Sequence, residues 1–245
     1  MPESLNRELL EVSAQVRGLL QDLQNLGFDE VPLAPPTAGL PRCGTAARAD
    51  GEAPGVSCRP ESLEEIRADL EHTPCCDLCR ERGNLVFGVG DPHARLVLVG
   101  EAPGREEDET GEPFVGEAGR LLDRILSAMG LSREEVYLCN VLKCRPPGNR
   151  DPRPEEAAAC RPFLERQLAA IAPEVIVTLG KCAAQALLQE TTAVGELRGH
   201  WHEYRSIPVM PTYHPAYLLR NPASKREVWE DMKEVMKRLR GGGSR

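Results

Sequence analysis

No apolar run in the 245-residue sequence approaches the roughly 18 residues needed to cross a bilayer, which argues against a membrane role. The N-terminus lacks a basic start followed by a continuous apolar stretch, so no secretory leader is expected and the cytoplasm is the expected compartment. No internal repeat is visible. Positive charge is also short: the formal net charge is -8, and by itself it gives no support for nucleic-acid binding. The deficit is uneven. Residues 1–71 hold 6 of the 30 Lys/Arg and 13 of the 38 Asp/Glu, which leaves the remainder nearly neutral at 24 against 25. Such a domain still binds phosphates if its basic residues cluster on one face.

What the chain has in quantity is cysteine, nine in all. In a cytoplasmic protein disulfides are rare, and spaced thiols more often hold metal. Cys76 and Cys79 form a CxxC pair, and Cys144 and Cys160 have 15 residues between them. Four thiolates suit one tetrahedral site, either zinc or a 4Fe-4S cluster, and spacing alone does not separate the two. The bland alternative is a set of buried free thiols. Cys43, Cys58, Cys75, Cys139 and Cys182 read as bystanders, with Cys75 the one plausible substitute ligand because it adjoins Cys76.

Apolar residues recur at helical spacing over 3–26, and Gly27 can end that amphipathic helix. It is either an appendage of its own domain or an element that binds a protein partner. Residues 29–59, rich in Pro, Gly and Ala, read as a flexible linker. The compact domain is expected over 61–245. A short helical pattern over 62–70 precedes the cysteines, and strands over 95–99, 136–142 and 174–179 alternate with helices over 119–129, 154–172 and 182–188. Segments 202–204 and 207–210 can pair as a hairpin before a last helix over 224–240, capped by Ser224. This α/β rhythm predicts a mainly parallel sheet covered by helices, with ligands outside the carboxyl ends of the strands.

Three loops fall at such ends, after the strands over 95–99, 136–142 and 207–210. Gly100-Glu101-Ala102-Pro103-Gly104 follows the first strand, where glycines let backbone N–H groups approach a ligand. Glu106 to Glu109 read mostly as a solvated charge run. Phe114, between glycines and a proline, is either core or a stacking platform. The third loop, Tyr213-His214-Pro215, follows the last strand, and the proline holds His214 extended so that its ring can enter the crevice.

Together, Gly100-Glu101-Ala102-Pro103-Gly104, the segment from Asn140 through Lys143-Cys144-Arg145-Pro146-Pro147-Gly148-Asn149-Arg150, and His214-Pro215-Ala216-Tyr217-Leu218-Leu219-Arg220-Asn221-Pro222 resemble the family 4 uracil-DNA glycosylases. The resemblance covers about residues 73 to 240. It implies a three-layer α/β/α sandwich and a 4Fe-4S cluster on Cys76, Cys79, Cys144 and Cys160, and so favours iron over zinc. It implies that uracil flipped out of DNA is bound by the loop of Ala102 and Gly104, stacked on Phe114 and read at its N3 and O4 edge by Asn140. His214 is the implied donor to uracil O2, and Glu101, paired with Asn149 and supported by Glu107, the group that orients or activates water. Ala102 departs from the glycine of many relatives and tightens the space beside the base. The glutamine and the basic insertion of uracil-crosslinking relatives are missing. Lys143, Arg145, Arg150 and Arg220 are candidate phosphate contacts.

The reaction implied is hydrolysis of the N-glycosidic bond by a monomer, without a covalent imine or strand cleavage, since Lys143 adjoins a cluster ligand. Two rivals stand beside it: a non-catalytic DNA- or nucleotide-binding protein with a structural metal, and a zinc-stabilised hydrolase of another substrate. The second lacks a nucleophile elbow.

Overall fold

The computed structural model describes residues 61–73 and 75–241, without the side chain of Glu81. The expected helix over 1–27 and linker over 29–59 lie outside the described residues. Six strands form one sheet in the order β1-β3-β2-β4-β6-β5. They are β1 Val89–Gly90, β2 Leu96–Gly100, β3 Tyr137–Asn140, β4 Val175–Leu179, β5 His202–Tyr204 and β6 Ile207–Thr212. The central four run parallel, and β1 and β5 flank them antiparallel.

Helices cover both faces because both faces of the central strands are apolar. Successive residues of a strand point to opposite sides. Val97 and Val99 therefore pack with Leu164 and Leu168 of α5 (Pro154–Ile171) and with Ala183 and Leu187 of α6 (Lys181–Leu188). Leu96 and Leu98 pack with Leu121, Leu122 and Leu126 of α4 (Glu117–Met129) and with Val228 and Met232 of α9 (Lys225–Gly241). The layers are helices, sheet and helices, as the alternation of elements predicts.

Helix α1 (Leu63–His72) is held at its start by a capping box, Glu65 N–H to Ser62 Oγ and Ser62 N–H to Glu65 Oε2. It buries Ile66 and Leu70 with Phe87 and Phe163, the latter on α5. Arg166 of α5 adds ion pairs to Glu61 and Asp69. Between α1 and β1 runs the one-turn helix α2 (Leu78–Glu81), which carries Cys79.

Among the described residues, five short helices and strands escape the periodicity of the sequence. They are β1, α2, α3 (Arg105–Thr110), α7 (Val194–Leu197) and α8 (Pro215–Arg220). The charge run 106–109 is thus helical. Its Glu106 and Glu109 are exposed, as a solvated run would be, while Glu107 and Asp108 bond to other segments. Ser224 closes a 3-10 turn, Pro222–Ser224, that leads directly into α9.

Candidate active site and thiol cluster

Parallel register carries three loops to one edge of the sheet. Gly100 pairs with Asn140, and the ladder continues past both strands through Val141 N–H to Gly100 O at 2.9 Å and Leu142 N–H to Glu101 O at 3.0 Å. Asn140 is buried, and a methyl group on Gly100 would collide with its Oδ1 and with the Phe114 ring. The glycine therefore permits the amide and the aromatic ring to meet. On the far side of β4, Gly180 N–H donates to Thr212 O at 2.8 Å, and a Cβ on Gly180 would lie 3.1 Å from His214 Cβ. The rings of Phe114 and His214 stack at 6.0 Å between centroids, 29° apart. Phe114 thus neighbours both Asn140 and His214.

His214 caps α8, and its Nδ1 accepts the Ala216 N–H at 3.1 Å. A backbone amide can only donate, so Nδ1 is unprotonated and the neutral ring carries its hydrogen on Nε2. Burial pushes the His214 pKa down to about 4; Glu107 opposes the shift and Arg220 adds to it. Near neutral pH the residue is a neutral hydrogen-bond donor.

Glu101 of the first loop and Glu107 of α3 have different surroundings. Glu107 accepts Gly104 N–H on Oε2 at 3.0 Å and Gly116 N–H on Oε1 at 3.1 Å, so both oxygens serve the loops that carry Ala102 and Phe114. Glu101 lines a cleft of about 510 Å³ between α5 and α6, with Asp151, Lys181 and Cys182. Asn140, Phe114 and His214 do not line this cleft. Burial, and then the Asp151 carboxylate, push its pKa up, with Lys181 opposing.

Other expected residues are placed differently. Asn149 is exposed, on a turn where both it and Gly148 are left-handed (φ 55° and 63°), and its Oδ1 accepts Arg145 Nε at 2.7 Å. The structure gives Asn149 this partner and not the expected Glu101. Lys143 is fully buried, donates to Asn140 O at 2.7 Å and Gln167 Oε1 at 2.5 Å, and so is no phosphate contact. Arg150 spans both oxygens of Glu156 at the start of α5, at 2.6 and 2.9 Å. Arg145 is half-buried and Arg220 exposed.

Sequence reasoning passed over a knot beneath His214. Thr212 Oγ1 donates to buried Asp231 Oδ2 at 2.6 Å, and Arg198 spans the same carboxylate at 2.6 and 3.1 Å. These residues are fourteen or more positions apart, and no local pattern joins them. The same holds for Arg133, which donates to Pro113 O and Phe114 O.

The cysteines gather beside α5. Cys75 Sγ lies 3.3 Å from Cys160 Sγ and 3.6 Å from Cys79 Sγ, and Cys144 Sγ lies 3.5 Å from Cys79 Sγ. Cys75, Cys76 and Cys160 have their sulfurs mutually within 4.8 Å. Cys75 is therefore part of the group and not a bystander. The donors are all sulfur, an arrangement that fits a soft metal centre. Arg82 Nη1 also points at Cys144 Sγ, 3.6 Å away.

Residues 87–233, more than half the chain, match the Uracil DNA glycosylase superfamily. The chain belongs to this superfamily. It is 46% identical over 183 residues to the Type-4 uracil-DNA glycosylase of Archaeoglobus fulgidus, covering 71% of this chain and 92% of that protein. To the Type-4 enzyme of Thermotoga maritima it is 44% identical over 181 residues, 72% and 94% of the two chains. The Type-5 uracil-DNA glycosylase of Thermus thermophilus is 41% identical over only 119 residues, 42% and 53%. Uracil-DNA glycosylases are hydrolases of N-glycosyl bonds, and the family membership identifies this chain as an enzyme of that class. Among the described residues no helix is long and apolar enough to cross a membrane.

Proposed function

We propose that the protein performs the reaction its relatives are named for, removing uracil from DNA to begin base excision repair, with its site residues in the following roles. The observation that carries the reading is the meeting of Asn140 and His214 on either side of Phe114 at the carboxyl edge of the sheet. An extruded base rests on Phe114, with the Asn140 amide at its N3 and O4 edge; cytosine presents the opposite donor pattern there. Bond cleavage leaves negative charge on the departing uracil, and Nε2–H of neutral His214 is aimed at O2, where that charge grows. A neutral donor suits this task because it is already hydrogen-bonded through Nδ1 and needs no proton from solvent. Glu101 faces the cleft, where the deoxyribose and water would lie, and as a carboxylate it stabilises the cationic sugar and orients the water. Glu107 acts through the loops it ties together.

The sulfur group fits a 4Fe-4S cluster on Cys76, Cys79, Cys144 and Cys160. When bound, the cluster supplies a covalent tie whose binding energy adds to folding. The chain's own part is to bring α2, the loop after β3 and helix α5 to one place. The protein works in this reading as a monomer on DNA in the cytoplasm, where thiols stay reduced and available to a metal.

Uracil release from a defined oligonucleotide, compared across uracil, hypoxanthine and thymine mismatches, tests the reading. His214→Ala is expected to lose about 100- to 1,000-fold in kcat while far-UV circular dichroism stays native. Full turnover in that variant would remove His214 from the chemistry, and no release by the wild type would favour the non-catalytic DNA-binding alternative.

A further inference from the structure

Phe114 is held in the left-handed region, at φ 58°. For a bulky residue this conformation is strained, and it persists only where the surroundings fix it. Three features do so. Gly119 leaves open the place a Cβ would occupy, which is filled by the Phe114 carbonyl oxygen. Glu107 grips the following segment at Gly116 N–H. From the opposite side Arg133, three-quarters buried, donates through Nη1 to Phe114 O at 2.9 Å and through Nη2 to Pro113 O at 2.7 Å. Nη1 also reaches Asp123 Oδ1 at 2.8 Å, on α4, which anchors the guanidinium to a rigid helix.

A planar guanidinium presents parallel donors in fixed geometry, and two successive carbonyls are a target that an ammonium cannot span. We propose that Arg133 is a positioning residue of the base-binding step: by forking the Pro113 and Phe114 carbonyls it keeps the Phe114 ring presented to the extruded pyrimidine. The inference rests on Phe114 being the stacking platform. Without the fork, the segment relaxes towards ordinary φ and the ring leaves the plane in which the base stacks. The loss therefore falls on affinity for the base more than on the chemical step.

The test uses the full metal-loaded chain with Arg133→Met, Arg133→Lys, Asp123→Asn, Phe114→Ala and the Phe114→Ala/Arg133→Met double variant. The readouts are KM and kcat on a uracil-containing single strand, and inhibition by free uracil. Arg133→Met is expected to raise KM and the uracil inhibition constant about tenfold with a smaller change in kcat. Arg133→Lys, which retains charge but at most one carbonyl bond, falls between it and wild type. Asp123→Asn retains an oxygen that can accept from Nη1 but loses the charge, and falls between Arg133→Lys and wild type. In the Phe114→Ala background the Arg133→Met change adds little, because its effect passes through the ring.

Impaired Phe114→Ala together with unchanged uracil inhibition in Arg133→Met would overturn the inference alone. Equal losses from Arg133→Met in both backgrounds would also overturn it, by showing a general structural role. Wild-type KM and uracil inhibition in Phe114→Ala would instead overturn the assignment of the platform, and the inference with it.

Discussion

The base site and the sulfur group lie at two ends of the same short strand and loop, yet they are organised by different forces. At the proposed base site, backbone register and hydrogen bonds bring Asn140, Phe114 and His214 together. Gly100, Gly119 and Gly180 leave the room, while Glu107 and Arg133 hold the loops. At the sulfur group, Cys75, Cys79, Cys144 and Cys160 have neighbouring sulfurs 3.3 to 3.6 Å apart, and Cys76 lies within 4.8 Å of Cys75 and Cys160. One region is held by hydrogen bonds between backbone and side chains; the other brings together sulfurs that suit a soft metal centre. The bridge between them is Lys143, next to Cys144 in the chain and bonded to the carbonyl of Asn140 and to Gln167 on the helix that carries Cys160.

Removing a ligand breaks the comparison most severely. Cys144→Ser is expected to lower metal and sulfide content and to drop the unfolding midpoint by roughly several degrees or more, since metal-binding energy is folding energy. If the two regions are independently organised, the residual folded protein still binds free uracil. Loss of uracil binding in step with metal would show that Lys143 transmits the disorder to Asn140.

A smaller effect is expected from Thr212→Val, which keeps the shape of the side chain but leaves one oxygen of buried Asp231 with a partner fewer. A cost of about 1 to 3 kcal/mol in stability follows, read by urea unfolding. Loss of kcat beyond the loss of folded protein would show that the knot also aims His214, and rescue by Thr212→Ser would confirm the hydroxyl.

The next test sharpens the account of His214. Its folded pKa, about 4, lies below the usual 6.5, so between those values the unfolded chain takes up a proton that the folded chain does not. Wild-type stability is expected to fall as pH drops from 6.5 towards 4, and a His214→Ala variant should lack that component. Parallel unfolding curves at pH 7 and 4.5 measure the difference; an unchanged gap between the two proteins would mean that the imidazole titrates normally. If Glu101 acts as a carboxylate, the acid limb of the activity profile is expected to shift upward, because burial raises its pKa and protonation removes its negative charge.

The smallest effect distinguishes ligand from neighbour. If Cys76, Cys79, Cys144 and Cys160 hold the cluster, Cys75→Ser retains full iron and sulfide while Cys76→Ser does not. The reverse outcome would give the fourth place to Cys75.

The sequence by itself determined the alternation of strands and helices, the resulting parallel sheet, the order of the three loops and the family they mark. Apolar periodicity reports the burial of neighbouring residues, and strand ends follow from it. Only the tertiary structure decided that Glu107 is bound by two amides while Glu101 faces a cleft, that Lys143 is buried, that Asn149 turns to Arg145, and that Cys75 joins the sulfurs. Each of these depends on a hydrogen bond or contact that the folded chain closes around a particular side chain. The left-handed Phe114 is the sharpest case: its carbonyl accepts from Arg133, nineteen positions further along the chain, a contact that no local pattern in the sequence announces.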